Sequence, residues 1–391
     1  DWLPTLYSRE HDARDLPFAQ KKGGMIGMGM TEKQGGSDVR SNTTLARPIG
    51  NNEYLVTGHK WFFSAPMCDA HLVLAQTPNG LSCIFMPRWR PDGSKNPLQI
   101  QRLKDKLGNR SNSSSEIEFR DAWGILLGEE GRGVPTIIEM ATYTRLDCCL
   151  GTSGGMRQAL SQALHHASHR SAFGARLIEQ PLMRNVLADL ALETEAATVL
   201  SLRMARAFDR LDNEAENAFR RLVTPAAKYW ICKRGPELAA EAMEVQGGNG
   251  YVDEGMLARI YREMPVNSIW EGSGNIMCLD LLRAFSKTPR ALPILMAELT
   301  PALGRHAAYD KFLGQLQRDF GDSGNLETRA RRLTQNLALA LQASLLLQHA
   351  PDFVADAFCR SRLQQDWGYN FGTLPANVDF AGILARAWPQ P

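Results

Sequence analysis

The sequence has neither of the common nucleotide signatures: no G-x-G-x-x-G follows a strand-like run, and no G-K-[ST] occurs. A Rossmann fingerprint and a P-loop are therefore excluded. None of its seven cysteines (Cys68, Cys83, Cys148, Cys149, Cys232, Cys278, Cys359) stands in a Cys-x-x-Cys pair. That argues against a zinc ribbon or a disulfide scaffold and for buried free thiols. Long apolar runs are lacking too. The nearest, 333–351, carries Gln335, Asn336, Gln342, Gln348 and His349, and reads as a core helix, with no membrane span expected. Asp1-Trp-Leu-Pro4 has no basic n-region or apolar h-region, so no signal peptide is expected and the cytoplasm is the expected location. Charge of one sign is also missing: 44 Lys+Arg stand against 42 Asp+Glu, a net of +2. A broadly basic coat is excluded, but a local basic patch is not. What is present is a chain of 391 residues, 44% hydrophobic, enough for two or three domains that each bury a core.

The first third alternates and turns often. Residues 53–57, 71–76, 81–86 and 116–119 read as short strands rich in β-branched and aromatic residues, which predicts a small antiparallel sheet or barrel over about 27–128. From Val134 the period changes to that of amphipathic helices, with helices expected over 156–169, 180–211 and 225–245, Gly247-Gly248 and Pro265 as interruptions, and another helix opening near Ser273 or Asn275. Residues 325–349 are the most regular helical stretch of the tail. The expected fold class is α+β multidomain: 1–24 as the remnant of an N-terminal region, 25–133 a β-domain, 134–286 a helical bundle and 287–391 a C-terminal helical domain.

Two motifs are weighed and set aside. His165, His166 and His169 include an i, i+4 pair but no H-E-x-x-H, so a surface or interface helix is expected and no metal. Gly151-Thr-Ser153-Gly-Gly155 matches a nucleophile elbow formally, yet the stretch before it has no strand character. Three segments carry more. Met28-Gly29-Met30-Thr31-Glu-Lys-Gln-Gly-Gly36-Ser37-Asp is Gly-rich with hydroxyls at both ends, which suits a pyrophosphate or a flat polar ring, or equally a turn with a helix cap. Trp61-Phe62-Phe63-Ser64 offers aromatic faces beside a hydroxyl, for stacking on a planar cofactor or for core packing. Trp270-Glu271-Gly272-Ser273-Gly274-Asn275 puts a carboxylate at the start of a helix, where it could act as a base or stabilise the helix N-terminus.

Taken together, these segments resemble the acyl-CoA dehydrogenase flavoprotein family, over about Gly27 to Arg283. Thr31-Glu-Lys-Gln-Gly-Gly-Ser37-Asp is similar to the family's T-E-x-x-x-G-S-D loop, whose Thr and Ser contact FAD. Phe62-Phe63-Ser64 falls where the family has W-[IV]-[TS] beside the flavin ring. Arg170-Ser-Ala-Phe173-Gly with Gln180 resembles the segment that reaches the FAD of a neighbouring subunit, and Gln246-Gly247-Gly248-Asn-Gly250-Tyr a second dinucleotide contact. Glu271, after Ile269-Trp270, stands where many members carry the catalytic base. The resemblance implies FAD as cofactor, acyl-CoA or another small electrophile as substrate, and a homotetramer built as a dimer of dimers. It also implies an N-terminal helical domain ahead of Thr31, apparently missing from this chain. Lys33, Phe62 and Trp270-Glu271-Gly272-Ser273 depart from the family pattern and resemble a branch made by bacteria under alkylation stress. That branch implies double-stranded DNA binding, a role in protecting DNA or destroying alkylating agents, and only weak dehydrogenase activity. An ordinary acyl-CoA dehydrogenase acting on short or branched chains, and a binding protein that keeps FAD for structure, are the rivals. For DNA, the clusters Arg329, Arg331, Arg332 and Arg360, Arg362 are the expected phosphate contacts, with a solvated helix face as the other reading.

Overall fold

The structure, a computed structural model, describes every residue except Asp1, Pro289, Ser323, Gln365 and 389–391; Asp1 and 389–391, at the ends of the expected terminal segments, thus lie outside the described residues. The chain divides into two compact units, Asp1–Ala141 and Thr142–Pro391.

The first unit opens with a single turn, α1 (Leu3–Leu6), and is mainly β. Its strands are β1 (Ile26–Gly29), β2 (Leu45–Gly50), β3 (Glu53–Ser64), β4 (Ala70–Thr77), β5 (Gly80–Pro87), β6 (Leu98–Leu103) and β7 (Ser114–Leu127). Asn51 and Asn52 both take left-handed backbone and make the tight turn from β2 to β3, the geometry a two-residue hairpin needs. Pairing runs β4-β2-β3-β7-β5 and returns from β5 to β4, so the sheet closes on itself. The sequence pattern predicts an antiparallel sheet or barrel, but the pairing is mixed: β1 pairs β4 in parallel, and so does Leu45 of β2 with Gln76. The β2–β3 hairpin lies between β1 and β4 in sequence, so the chain returns to run alongside β1 in its own direction. Val56, Phe63, Val73, Ile84, Met86 and Phe119 fill the interior. A register shift between Lys60 and Phe63 lets both point inward three residues apart and turns Trp61-Phe62 outward.

The second unit is helical: α2 (Gly133–His169, beginning in the first unit), α3 (Pro181–Phe208), α4 (Glu214–Val245), α5 (Gly248–Tyr251), α6 (Met256–Asn267), α7 (Gly274–Lys287), α8 (Ala291–Leu299), α9 (Ala307–Gly321), α10 (Leu326–His349), α11 (Asp352–Phe358) and α12 (Phe380–Ala387), with a short hairpin β8 (Ser171–Ala172) and β9 (Ala175–Arg176) after α2. The helix expected at 225–245 starts at Glu214, where Asn213 caps it by accepting from the Glu216 N–H. Pro225 and Pro236 sit inside it, and Pro265 sits inside α6 without interrupting it. Each costs a backbone hydrogen bond, but α4 is buried on nearly every face between Leu222 and Cys232, and that packing outweighs the propensity. Residues of 134–286 and of 287–391 share one apolar core, with Leu337, Leu341 and Phe358 in the same cluster as Leu190, Leu200 and Ile231. Ser153 lies buried inside α2 and donates to the Leu150 carbonyl, which removes the nucleophile-elbow reading. All seven cysteines are free and buried.

Candidate active site

The candidate residues form two sets, one in each unit. In the first, the loop after β1 is folded around Glu32, which is 1% exposed. Its Oε1 accepts from Lys60 Nζ at 2.7 Å and Thr44 N at 3.1 Å; its Oε2 accepts from Thr43 N at 2.7 Å, Thr43 Oγ1 at 3.0 Å and Gln34 Nε2 at 2.9 Å. Burial alone would raise this carboxyl, but the Lys60 ammonium and the Thr43 and Thr44 donors outweigh it and hold Glu32 well below the usual carboxylate range. Burial brings Lys60 down to about 8. With Glu32 fixed, Gly35 N closes a turn onto the Glu32 carbonyl and Asn42 Nδ2 holds the Met30 carbonyl. Gly36 is needed there, since a Cβ at that position would sit 2.4 Å from Thr31 Oγ1. The turn leaves Thr31 half-buried and Gly36 and Ser37 exposed, so both expected hydroxyls are accessible. Met28 and Met30 pack against the cluster of Leu74, Cys83 and Ile137, and Gly29 is buried. Of the aromatic pair, Phe62 is 50% exposed whereas Phe63 is fully buried against Phe119 and His71. Phe63 is thus a core side chain and offers no stacking face, a correction to its expected role. Ser64 is half-buried, and Lys104 Nζ lies 3.6 Å from the Trp61 ring centroid and 4.6 Å from that of Phe62.

The second set centres on Glu271, in the loop from α6 to α7. Its backbone is left-handed at φ 59°, followed by Gly272 at φ 104°. For a residue with a Cβ this conformation costs roughly 1–2 kcal/mol and persists only where the surroundings impose it. Arg145 of α2 donates from Nε to the Glu271 carbonyl at 2.9 Å while its Nη1 pairs with Asp280 of α7 at 2.9 Å. Lys228 of α4, 1% exposed, donates to the carbonyls of Asn267 and Gly272, both at 2.9 Å. Trp270 Nε1 donates to Asn267 Oδ1, whose amide donates to Thr152. The Glu271 side chain accepts from Thr144, but its Oε2 is buried with no hydrogen-bond partner. Burial pushes the Glu271 carboxyl up, against the smaller downward pull of Thr144, Arg145 and Lys228. A half-buried carboxylate with a raised pKa and an unpartnered oxygen has the chemistry of a general base.

The remaining expected contacts surround this unit's surface. Phe173, at φ 52° and fully exposed, sits with Gly174 at the tip of the β8–β9 hairpin, which Gln180 Nε2 closes through the Ala172 carbonyl. Arg170 is exposed at its base. Gln246 and the exposed Gly247-Gly248 end α4, and Gly250 packs so closely that a Cβ would meet the Met243 carbonyl at 2.2 Å. Ile269 is 64% exposed; Ser273 caps α7 by position without a side-chain bond, Gly274 is buried, and Asn275 is exposed.

The arginines expected to bind DNA divide sharply. Arg362 is buried and pairs with Asp189 at 2.5 Å and Glu193 at 3.1 Å, so it is a core cation and not a phosphate contact. Arg329 is bound to Asp322 and the Gly324 carbonyl, and Arg360 to Asp356 and Asn377. Arg331 and Arg332 are exposed, and Arg331 reaches Asn275 in the first turn of α7 at 2.8 Å. His165 and His169 stack, and His169 Nδ1 bonds the His165 carbonyl. No group of three possible metal ligands and no helix long and apolar enough to cross a membrane occurs among the described residues.

Residues 27–122 match the acyl-CoA dehydrogenase middle domain and residues 131–285 the acyl-CoA dehydrogenase C-terminal domain. The chain belongs to the acyl-CoA dehydrogenase family, whose members are FAD-dependent oxidoreductases. It is 50% identical to AidB of Escherichia coli (strain K12) over 94% of this chain and 68% of that protein. Among solved structures it is similar to Caenorhabditis elegans ACDH-11 in complex with C11-CoA, at TM-score 0.83 and 28% identity, covering 92% of this chain and 68% of that one. A Bacillus anthracis acyl-CoA dehydrogenase complexed with FAD shares the fold, at TM-score 0.70 and 20% identity over 87% of this chain and 66% of that one. The first unit's loop fits a flavin: the Gly36 turn leaves the Thr31 and Ser37 hydroxyls accessible.

Proposed function

We propose that this protein dehydrogenates an acyl-CoA thioester, with Glu271 removing the α-proton. One observation carries the reading: Glu271 is half-buried, has a raised pKa, and holds a buried Oε2 without a partner inside a loop pinned by two buried cations. FAD, when bound, supplies the acceptor for the β-hydride, and the product is the α,β-unsaturated thioester. The chain's own groups prepare the proton transfer. Arg145 and Lys228 fix the main chain on both sides of the carboxylate, Thr144 holds one oxygen, and burial makes the other a stronger base. In the first unit Thr31, Gly36, Ser37, Phe62 and Ser64 are the residues that would contact a flavin; in the second, taken by itself, they are Gln180, Gln246 and Asn275. The C11-CoA in the solved relative supports a CoA thioester as substrate.

The same proposal includes a role in the bacterial response to alkylation, with weak dehydrogenase activity, sequence-independent binding of duplex DNA and a homotetrameric assembly. Exposed Arg331 and Arg332 support the DNA component. Dye-coupled turnover of a short branched acyl-CoA tests the chemistry: Glu271→Gln should lose it while retaining flavin absorbance, and undiminished turnover would remove Glu271 from the mechanism. Retention of duplex DNA should fall with salt, and a flat response would remove the DNA component.

A further inference from the structure

We propose that Lys228 is a positioning residue for Glu271: a buried ammonium that clamps the main chain on both sides of the Glu271 side chain. The role rests on the proposed function of Glu271 only where turnover is read.

Lys228 stands in Val223-Thr-Pro-Ala-Ala-Lys-Tyr-Trp-Ile-Cys232, where its neighbours on α4 are buried apolar residues. A lysine so placed needs a compensating reason to remain. No carboxylate lies within 4.0 Å of its ammonium among the described ion pairs; Lys21, Lys60, Lys95 and Lys104 all have one. Its recorded partners are two main-chain carbonyls, Asn267 at the C-terminal end of α6 and Gly272 just before α7. Those two atoms bracket Ile269, Trp270 and the left-handed Glu271. Arg145 takes the carbonyl between them and also pairs with Asp280, a carboxylate it shares with Arg221 and Arg283. Lys228, with no carboxylate in contact among the described residues, brings a positive charge to the loop, and Glu271 is a carboxylate on which it acts alongside Arg145. The charged and titratable groups around Glu271 are Arg145 and Cys148 of α2, Lys228 of α4 and, through Arg145, Asp280 of α7; Arg331 of α10 reaches Asn275 in the first turn of α7.

The test is the titration of Glu271 by carboxyl ¹³C NMR on the full chain, with Glu271→Gln identifying the signal. Lys228→Met keeps the length and removes the charge; it should raise the Glu271 midpoint by less than one pH unit, the direction expected when an opposite charge is lost. Lys228→Arg, which restores a cation, should return most of it. An unmoved midpoint in folded Lys228→Met would overturn the proposal. Should that variant not fold, the native protein decides: the Lys228 ¹⁵N ammonium resonance should titrate with the Glu271 midpoint, and an ammonium signal indifferent to that midpoint would overturn it equally. In turnover, the acid limb of kcat/KM should move up with the NMR midpoint. Loss of activity without a change in the midpoint would count against Lys228 and leave Glu271 as base; a moved midpoint with activity surviving in Glu271→Gln would do the reverse.

Discussion

Each unit holds a glutamate in a loop, Glu32 buried and Glu271 half-buried, and the two carboxylates are hydrogen-bonded very differently. Glu32 is saturated: a lysine, a side-chain amide, a hydroxyl and two backbone N–H groups reach its two oxygens. Glu271 accepts from Thr144, and its second oxygen is buried with no partner. Burial raises both; only at Glu32 do the donors overcome it. Burial therefore does not separate a structural carboxylate from a reactive one. The completeness of its hydrogen bonding does. The backbone agrees, since only Glu271 occupies the left-handed region.

The largest effect should be the loss of turnover in Glu271→Gln, about 10²–10⁴-fold as for removal of a general base. Its melting temperature at neutral pH should be unchanged or higher. A carboxyl whose folded pKa is raised becomes a liability once the pH passes its unfolded value, and the amide removes that liability. A large drop in melting temperature would show that Glu271 is structural and collapse the comparison.

Glu32→Gln should do the opposite and destabilise the first unit by about 3–5 kcal/mol, because Lys60 is left buried without its carboxylate. Denaturant unfolding checks this. The pH dependence has a definite sign. Glu32 is lowered in the folded state, so its contribution is complete above the unfolded carboxylate value and is lost as pH falls through the folded one. The difference in stability between wild type and Glu32→Gln should therefore shrink on acidification below about pH 4.5. A constant difference would mean that the pair does not carry the stability.

Thr144→Val should have the smallest effect. Loss of one hydrogen bond, about 1 kcal/mol, should move the acid limb of the activity profile upward by less than one pH unit while leaving the fold intact. A downward shift would mean that Thr144 stabilises the protonated form.

Much of this was legible in the sequence, and the failures have physical causes. Strands β3, β4, β5 and β7 follow from alternation, but β2 carries Pro48 at an irregular register and β6 is exposed along most of its length, so neither announces itself by pattern. Pro225 and Pro265 read as boundaries because local propensity disfavours proline inside a helix, and tertiary burial overrode it. Glu271, Thr31 and Ser37 stood out through their motifs. Glu32, Lys60, Arg145, Lys228 and Asp280 did not, since long-range partners define their roles. Lys228 alone left a local trace, a charge in the middle of an apolar helix. Arg362 misled for the converse reason: an arginine pair in sequence looks like a patch until Asp189 and Glu193, more than 160 residues earlier, prove to be its partners.

The central claim is that Glu271 exchanges a proton with the α-carbon of a thioester. Exchange of the α-hydrogen of an acyl-CoA with deuterated solvent, followed by ¹H NMR in the presence of the FAD-loaded protein, reads that step without requiring turnover. Wild type should catalyse the exchange and Glu271→Gln should not, while a conservative change at the other glutamate, Glu32→Asp, should leave it in place wherever the fold survives. Equal exchange with wild type and Glu271→Gln would contradict the account.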